Sequence, residues 1–290
     1  MLKIYMAFPG GKHKVLTMSY DDGKFADRRL VSIFNKYGIK GTFNLNSQLV
    51  NDGLRIDPSE WKELYKGHEV ATHTSTHPTI DRCPNIEIVE EYLNDRKFLE
   101  SVMGYPIRGH AYPNGSYSKR VERIMEDLGI KYGRIIGDYY ADEYNARQAK
   151  QECHFDVVGD VNGFAFPENF LEWKPTCHHN HNLLGFGEAF KNIKKKQYLY
   201  MMYVWGHSYE FDRDNNWEVI EQFCEMMSNQ DDIWYATNIE IVDYMDAYNR
   251  LQFAADLSFV YNPSAISVWL IINDDKAVEV PGGATIALND

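Results

Sequence analysis

Well past the middle of the chain, residues 198–207 read YLYMMYVWGH, with almost no polar side chain before the closing histidine. The run is about half the length a membrane span needs. It does not alternate between apolar and polar positions, so it does not describe a strand with one wet face. A short continuous apolar run fits a strand buried on both faces, the situation of a parallel sheet covered by helices.

The rest of the chain repeats the matching grammar, a short apolar run followed by a stretch of helical period. Leu30, Ile33, Phe34 and Tyr37 fall at i, i+3, i+4 and i+7 before Gly38, and GTFNLN (41–46) follows as a strand. Val121, Ile124, Met125 and Leu128 repeat the spacing before Gly129, and Ile220, Phe223, Cys224 and Met227 repeat it again. IWYA at 233–236 is a further strand, and Thr237 with Glu240 forms a capping box for the helix after it. Beyond residue 251 the helical period ends, and VWLIINDDKAVEVPGG reads as a β-hairpin too small to hold a core of its own. The expectation is an α/β domain over residues 1–250 with a β-rich extension, 251–290, packed on it.

The balance of charges narrows the partners. With 42 acidic and 30 basic residues the formal net charge is -12, which disfavours nucleic acid and anionic membrane surfaces, since both are bound through clustered cations. The one basic cluster, Lys191 to Lys196, reads as a solvated face. The opening MLKIYMAFPGGKHK lacks an apolar signal core, so a cytoplasmic address is expected. Four scattered cysteines without CxxC spacing fit reduced thiols. Oligomeric state is not set by the sequence.

Two short stretches carry chemistry. TMSYDDGK (17–24) ends an apolar run in adjacent aspartates, which repel when both are ionised unless a cation sits beside them. ATHTSTHP (71–78) sets His73 and His77 at i, i+4, a spacing that can chelate one ion. Two histidines and a carboxylate are a recurrent set for a catalytic divalent metal, and a second aspartate can take the proton of a metal-bound water.

These stretches resemble the first two motifs of the polysaccharide deacetylase family, the NodB-homology or carbohydrate esterase 4 group, TFDDG and H[ST]xxH. YGIKGTFNLN (37–46) and GHEVATHTSTHP (67–78) are similar to the text around those motifs. The resemblance runs over roughly residues 12–245 and implies a distorted (β/α) barrel with its motifs at the carboxyl ends of strands. It implies Asp21 as general base, Asp22, His73 and His77 as ligands of a divalent metal, and His207 in VWGHS as general acid. Zinc is the first expectation for the metal, with cobalt, nickel, manganese or iron as alternatives.

The third motif, RxPxG, stands here as AYPNG (111–115), so that Ala111 replaces the arginine that steadies the base. Tyr112, Pro113 and Asn114 are expected on the oxyanion and substrate side, with the Asn114 N–H as oxyanion donor. Arg134, in KYGRII, is preferred over Arg108 as the substitute cation because its strand should end on the same rim. The fourth motif is matched most nearly by Glu172-Trp173, which would place Glu172 on His207 and Trp173 against the acyl group. His178 in CHHNH (177–181) is expected to contact substrate. The same cluster, through Cys177, His178, His179 and His181, also suggests a second metal, but loop histidines are more commonly surface residues, the reading preferred here.

The implied activity is hydrolysis of an acetyl amide on an N-acetylated sugar or oligosaccharide. The alternatives are another C–N bond or an acetate ester hydrolysed on the same metal, or a non-catalytic carbohydrate-binding homologue.

Overall fold

The computed structural model describes residues 2–136 and 163–288. Residues 137–162, which include most of the segment 138–181 expected to shape specificity, lie outside it.

The twin-buried run is an interior strand of the sheet, as its composition predicts. In chain order the elements are β1 (Ile4–Ala7), β2 (Lys14–Asp21), α1 (Asp27–Tyr37), β3 (Gly41–Leu45), α2 (Pro58–Leu64), β4 (Glu69–Thr72), α3 (Asn85–Met103), β5 (Gly109–Ala111), α4 (Lys119–Asp127) and β6 (Tyr132–Arg134). After the undescribed stretch come β7 (Cys177–His178), α5 (Leu183–Lys191), β8 (Tyr200–Gly206), α6 (Tyr209–Arg213), α7 (Trp217–Met227), β9 (Ile233–Tyr235) and α8 (Asn238–Asn249). The tail adds β10 (Gln252–Phe253), β11 (Phe259–Tyr261), β12 (Val268–Ile272), β13 (Lys276–Val280) and β14 (Thr285–Ala287).

Strands β6-β5-β4-β3-β2-β8-β7 pair in that order, all parallel, and β9 pairs with the start of β2. The two edges approach through one segment. Trp173 N–H donates to the Gly133 carbonyl of β6, and three residues on Thr176 N–H donates to the Tyr203 carbonyl of β8. The sheet therefore curls into the expected distorted (β/α) barrel, with every parallel strand ending on one rim.

Helix starts and stops follow the local chemistry. Gly38 closes α1 at φ 68°, a left-handed position that glycine adopts without Cβ strain. Thr237 and Glu240 exchange both bonds of the expected capping box at the start of α8. Ile220, Phe223, Cys224 and Met227 are all buried, as their spacing predicts.

The tail contains the expected hairpin, β12–β13, which turns at Asn273 and Asp274, both at positive φ. Its third strand comes from the other end of the chain, because β1 pairs antiparallel with β12. Strands β10, β11 and β14 form a second small sheet. The tail is fastened to α8 by Tyr244, whose hydroxyl donates to the Ala7 carbonyl at 2.6 Å and accepts from Trp269 N–H at 2.8 Å. No helix among the described residues is long and apolar enough to cross a membrane.

Candidate active site

Asp21 is the last residue of β2 and Asp22 the first beyond it, and the backbone separates their side chains. Asp22 has φ 80°, a conformation an aspartate adopts at a cost and keeps where the surroundings enforce it. Its N–H donates to the Asn44 carbonyl at 2.9 Å, and Arg55 Nε donates to its own carbonyl at 2.8 Å. The two carboxylates thus take different main partners although they are adjacent in sequence, with His73 Nε2 also 3.7 Å from Asp21 Oδ2 and Arg55 Nη2 3.5 Å from Asp22 Oδ1.

Asp22 faces histidines. His73 follows β4 directly, and its Nδ1 lies 2.7 Å from the Ala111 carbonyl. That carbonyl can only accept, so the Nδ1 carries the proton and Nε2 presents its lone pair. His77, held at φ 60°, brings its ring to 4.7 Å from that of His73, centroid to centroid. One ligand atom each of Asp22, His73 and His77 lie within 4.8 Å of one another. Two neutral nitrogens and one carboxylate oxygen, with one histidine already oriented from behind, suit a divalent transition metal.

Asp21 is held chiefly by a buried guanidinium and an amide. Asn44 donates to its Oδ1 at 2.8 Å, and Arg134 Nη2 donates to its Oδ2. Burial alone would raise this carboxyl, but neighbouring Arg134, His73 and His207 and the Asn44 bond outweigh it and hold it at about 2. Arg134 ends β6, is fully buried, and lays its guanidinium over the Trp205 ring at 4.4 Å. Ala111 is also buried, so the room and the cation lost from the third motif are supplied from the next strand.

His207 follows β8 on the same rim and is half-buried. Burial lowers its imidazole, yet the bond to Glu210 and the charges of Asp21, Glu210 and Asp22 raise it above its ordinary value. Glu210, on α6, was not anticipated from the sequence. Its Oε2 lies 3.5 Å from His207 Nδ1, 3.0 Å from His178 Nε2 and 3.2 Å from His179 Nε2. Asn180 N–H donates to His178 Nδ1 at 3.2 Å, which leaves the proton of a neutral His178 on Nε2, aimed at the glutamate. Burial would raise Glu210, but these three imidazoles hold it far below the usual carboxylate range. The signal that could have found it is its spacing of three residues from His207 at a helix start.

Several expectations are corrected. Glu172 pairs with Lys119 and not with His207, whose carboxylate is that of Glu210. Trp173 does not wall an open pocket; it is fully buried among Tyr132, Phe170 and Tyr203, with ring centroids 5.6, 4.9 and 4.8 Å away. Tyr112 is likewise buried and bonds the Leu171 carbonyl through its hydroxyl at 2.9 Å, so it serves the core. His178 and His179 are not surface residues. His179 stacks between Tyr20 and Phe211 and is kept neutral by burial, which lowers it to about 4. Pro113 is buried, and Asn114 is exposed at φ 57°, with its side chain donating to Thr79 Oγ1 at 3.3 Å.

Comparison with known proteins agrees with the geometry. Residues 9–133 match the family model described as polysaccharide deacetylase. A chitooligosaccharide deacetylase of Rhizobium leguminosarum bv. phaseoli is 25% identical over 113 residues, 38% of this chain and 48% of that one. A chitin deacetylase of Arthroderma benhamiae is 29% identical over 137 residues, 44% of this chain and 35% of that one. The chain thus spans about half or less of the length of such curated relatives. Among solved structures, a polysaccharide deacetylase candidate from Mycobacterium smegmatis superposes with a TM-score of 0.59 at 14% identity, covering 84% of this chain and 93% of that one. The Xyl-CE4 domain of a multidomain xylanase from the hindgut metagenome of Trinervitermes trinervoides gives 0.52 at 17% identity, covering 81% and 92%. Residues 9–133, somewhat under half of the chain, thus match the polysaccharide deacetylase family model, and the described residues share the fold of the two structures above.

Proposed function

We propose that the protein is a metal-dependent hydrolase that removes an acetyl group from an N-acetylated sugar or oligosaccharide. The observation that carries this reading is the division of the aspartate pair. One carboxylate is turned into a two-histidine ligand set, and its neighbour is kept ionised by a buried arginine.

Asp22, His73 and His77 would hold the ion, with zinc the first choice for this donor set. When bound, such an ion polarises a carbonyl and lowers the pKa of a water. Asp21, fixed by Arg134 and Asn44, accepts the proton of the attacking water. The Asn114 N–H is assigned to the developing oxyanion. His207, whose cationic form Glu210 and Asp21 favour, delivers a proton to the departing amine. Glu210 is a positioning residue in this scheme, fixed in turn by His178. The deacetylase names of the relatives support the choice of an acetylated saccharide.

The test is acetate release from N-acetylated chitooligosaccharides by zinc-loaded and chelated protein, with metal content measured on Asp21→Asn and Asp22→Asn. We expect release only from the loaded protein, Asp22→Asn to lose metal and activity together, and Asp21→Asn to keep the metal and lose about 10³-fold in turnover. Equal metal loss in both variants, or release that ignores chelation, would refute the division of labour.

A further inference from the structure

The two loops that carry the proposed metal ligands hold three residues other than glycine in the left-handed region, Asp22 at φ 80°, Thr74 at φ 64° and His77 at φ 60°. Such backbone is costly for these side chains and persists only where neighbours enforce it. Two of the three positions are gripped at their carbonyls, and both grips come from one place in the fold.

That place is the end of β3, the strand that lies between β2 and β4 and so between the strands that deliver Asp22 and His73. Asn46, one residue beyond β3 and 1% exposed, donates through Nδ2 to the carbonyls of His73 at 2.7 Å and Thr74 at 2.9 Å. Its Oδ1 accepts from Arg55 Nη2 at 3.4 Å, so the amide has one end for each loop. Arg55, 9% exposed, donates through Nε to the Asp22 carbonyl at 2.8 Å, and its Nη2 lies 3.5 Å from Asp22 Oδ1. A continuous run of hydrogen bonds therefore joins the main chain at Asp22 to the main chain at His73 and Thr74.

Arg55 is itself set in place. Lys24 and Arg55 form an antiparallel bridge, Ile56 N–H donates to the Gly23 carbonyl at 3.0 Å, and Arg55 Nη1 pairs with Asp52. The Asp52 carboxylate offsets the positive charge that would otherwise oppose a cation at Asp22, so what Arg55 brings to the ligand set is chiefly geometry. Without this link the loops could relax out of left-handed backbone, and the ligand atoms would have to be gathered as an ion arrives.

We propose that Arg55 and Asn46 are positioning residues that preassemble the metal triad by locking the Asp22 loop to the His73–His77 loop. The proposal rests on the metal-site reading above and deepens it, since it assigns part of the affinity to two side chains outside the ligand set.

The experiment measures zinc affinity by competition with a chromophoric chelator, and urea unfolding of the chelated protein, for the wild type, Arg55→Ala, Asn46→Ala, the double variant and Arg55→Lys. Each alanine variant should bind zinc about 10- to 100-fold more weakly while the chelated protein stays folded without urea. The double variant should be little worse than either single one, because the two side chains form one link. Arg55→Lys, a point charge without the planar fork, should recover only part of the loss, and it carries the test should an alanine variant fail to fold. Zinc affinity within twofold of the wild type in the alanine variants or in Arg55→Lys, or a double-variant loss equal to the product of the single losses, would overturn the link while leaving the metal site intact. A wild type that holds no divalent transition metal would sink the metal-site reading itself.

Discussion

Asp21 and Glu69 are both buried carboxyls on nearby strands of one barrel, and their acidities lie on opposite sides of the ordinary range. Asp21 closes β2 at the carboxyl rim and is held at about 2, whereas Glu69 opens β4 at the other end and is raised to about 7. Burial pushes both upward. The difference is in the neighbours: Asp21 meets the Arg134 guanidinium, but Glu69 meets the Tyr132 and Thr42 hydroxyls and the Ile239 N–H, all neutral donors. A neutral donor stabilises a carboxylate less than a buried cation does, so desolvation wins at one end and loses at the other. The barrel places its compensating charge at the rim that carries the proposed base and leaves the far end to serve the fold, the usual partition between the two faces of such barrels.

Removing the cation should erase the contrast most completely. Arg134→Ala would leave Asp21 buried without its guanidinium and with the Asn44 amide as its remaining close donor, costing about 3 to 5 kcal/mol of stability. It should also lower turnover by about 10²-fold and move the acid limb of the pH–rate profile upward, because a carboxyl freed from Arg134 is protonated at higher pH. Arg134→Lys should recover part of the loss, as a point charge without the planar fork. Unchanged turnover and an unchanged acid limb in Arg134→Ala would show that Asp21 is steadied by something else.

Glu210 extends the comparison to the other side of the rim, where a carboxylate is itself held ionised, by imidazoles. Glu210→Gln keeps the shape and removes the charge. His207 is raised partly by that charge, so its protonated form should be lost at lower pH and the alkaline limb should shift downward, with turnover at neutral pH reduced by about tenfold. A merely structural glutamate would change stability and leave the limb where it was.

The parts of this site that could be read from the sequence are those that lie together in it. Asp21 with Asp22 at the end of β2 and His73 with His77 just beyond β4 are each pairs of near neighbours in sequence, and Arg134 was reached by reasoning about which strand ends on the same rim. Glu210 escaped because its role depends on a short helix folding back over His178 and His179, which arrive from a different strand. Glu172 was misassigned for the complementary reason, since an acidic-Trp dipeptide satisfied a local pattern while the fold buried the tryptophan and turned the glutamate to Lys119. The pairing of β1 with β12 was invisible because it joins opposite ends of the chain and leaves no local period. Burial patterns and adjacent motifs are local quantities, and contacts between distant segments are not.

Glu69 offers a test of the far end that leaves the proposed chemistry untouched. Its carboxyl is raised in the fold, so the folded state keeps the proton to about pH 7 while the unfolded chain gives it up near the ordinary value of 4.5. Between those values the native state binds more protons than the unfolded one, and stability therefore falls as pH rises. At about 1.4 kcal/mol per pH unit of separation, the loss from this group is about 3 kcal/mol across the interval. Glu69→Gln mimics the protonated carboxyl, since the amide can still accept the Ile239 N–H and donate to a neighbouring hydroxyl. Urea unfolding at pH 5 and pH 8 should show the wild type losing more stability over that span than the variant. Asp27, buried against Ser208 and Tyr65 and raised to about 7, and Asp95, raised to about 6, contribute the same sign in both proteins and cancel in the difference. If the two proteins lose stability equally, Glu69 is ionised in the fold at neutral pH, and the contrast with Asp21 is one of partners without being one of protonation.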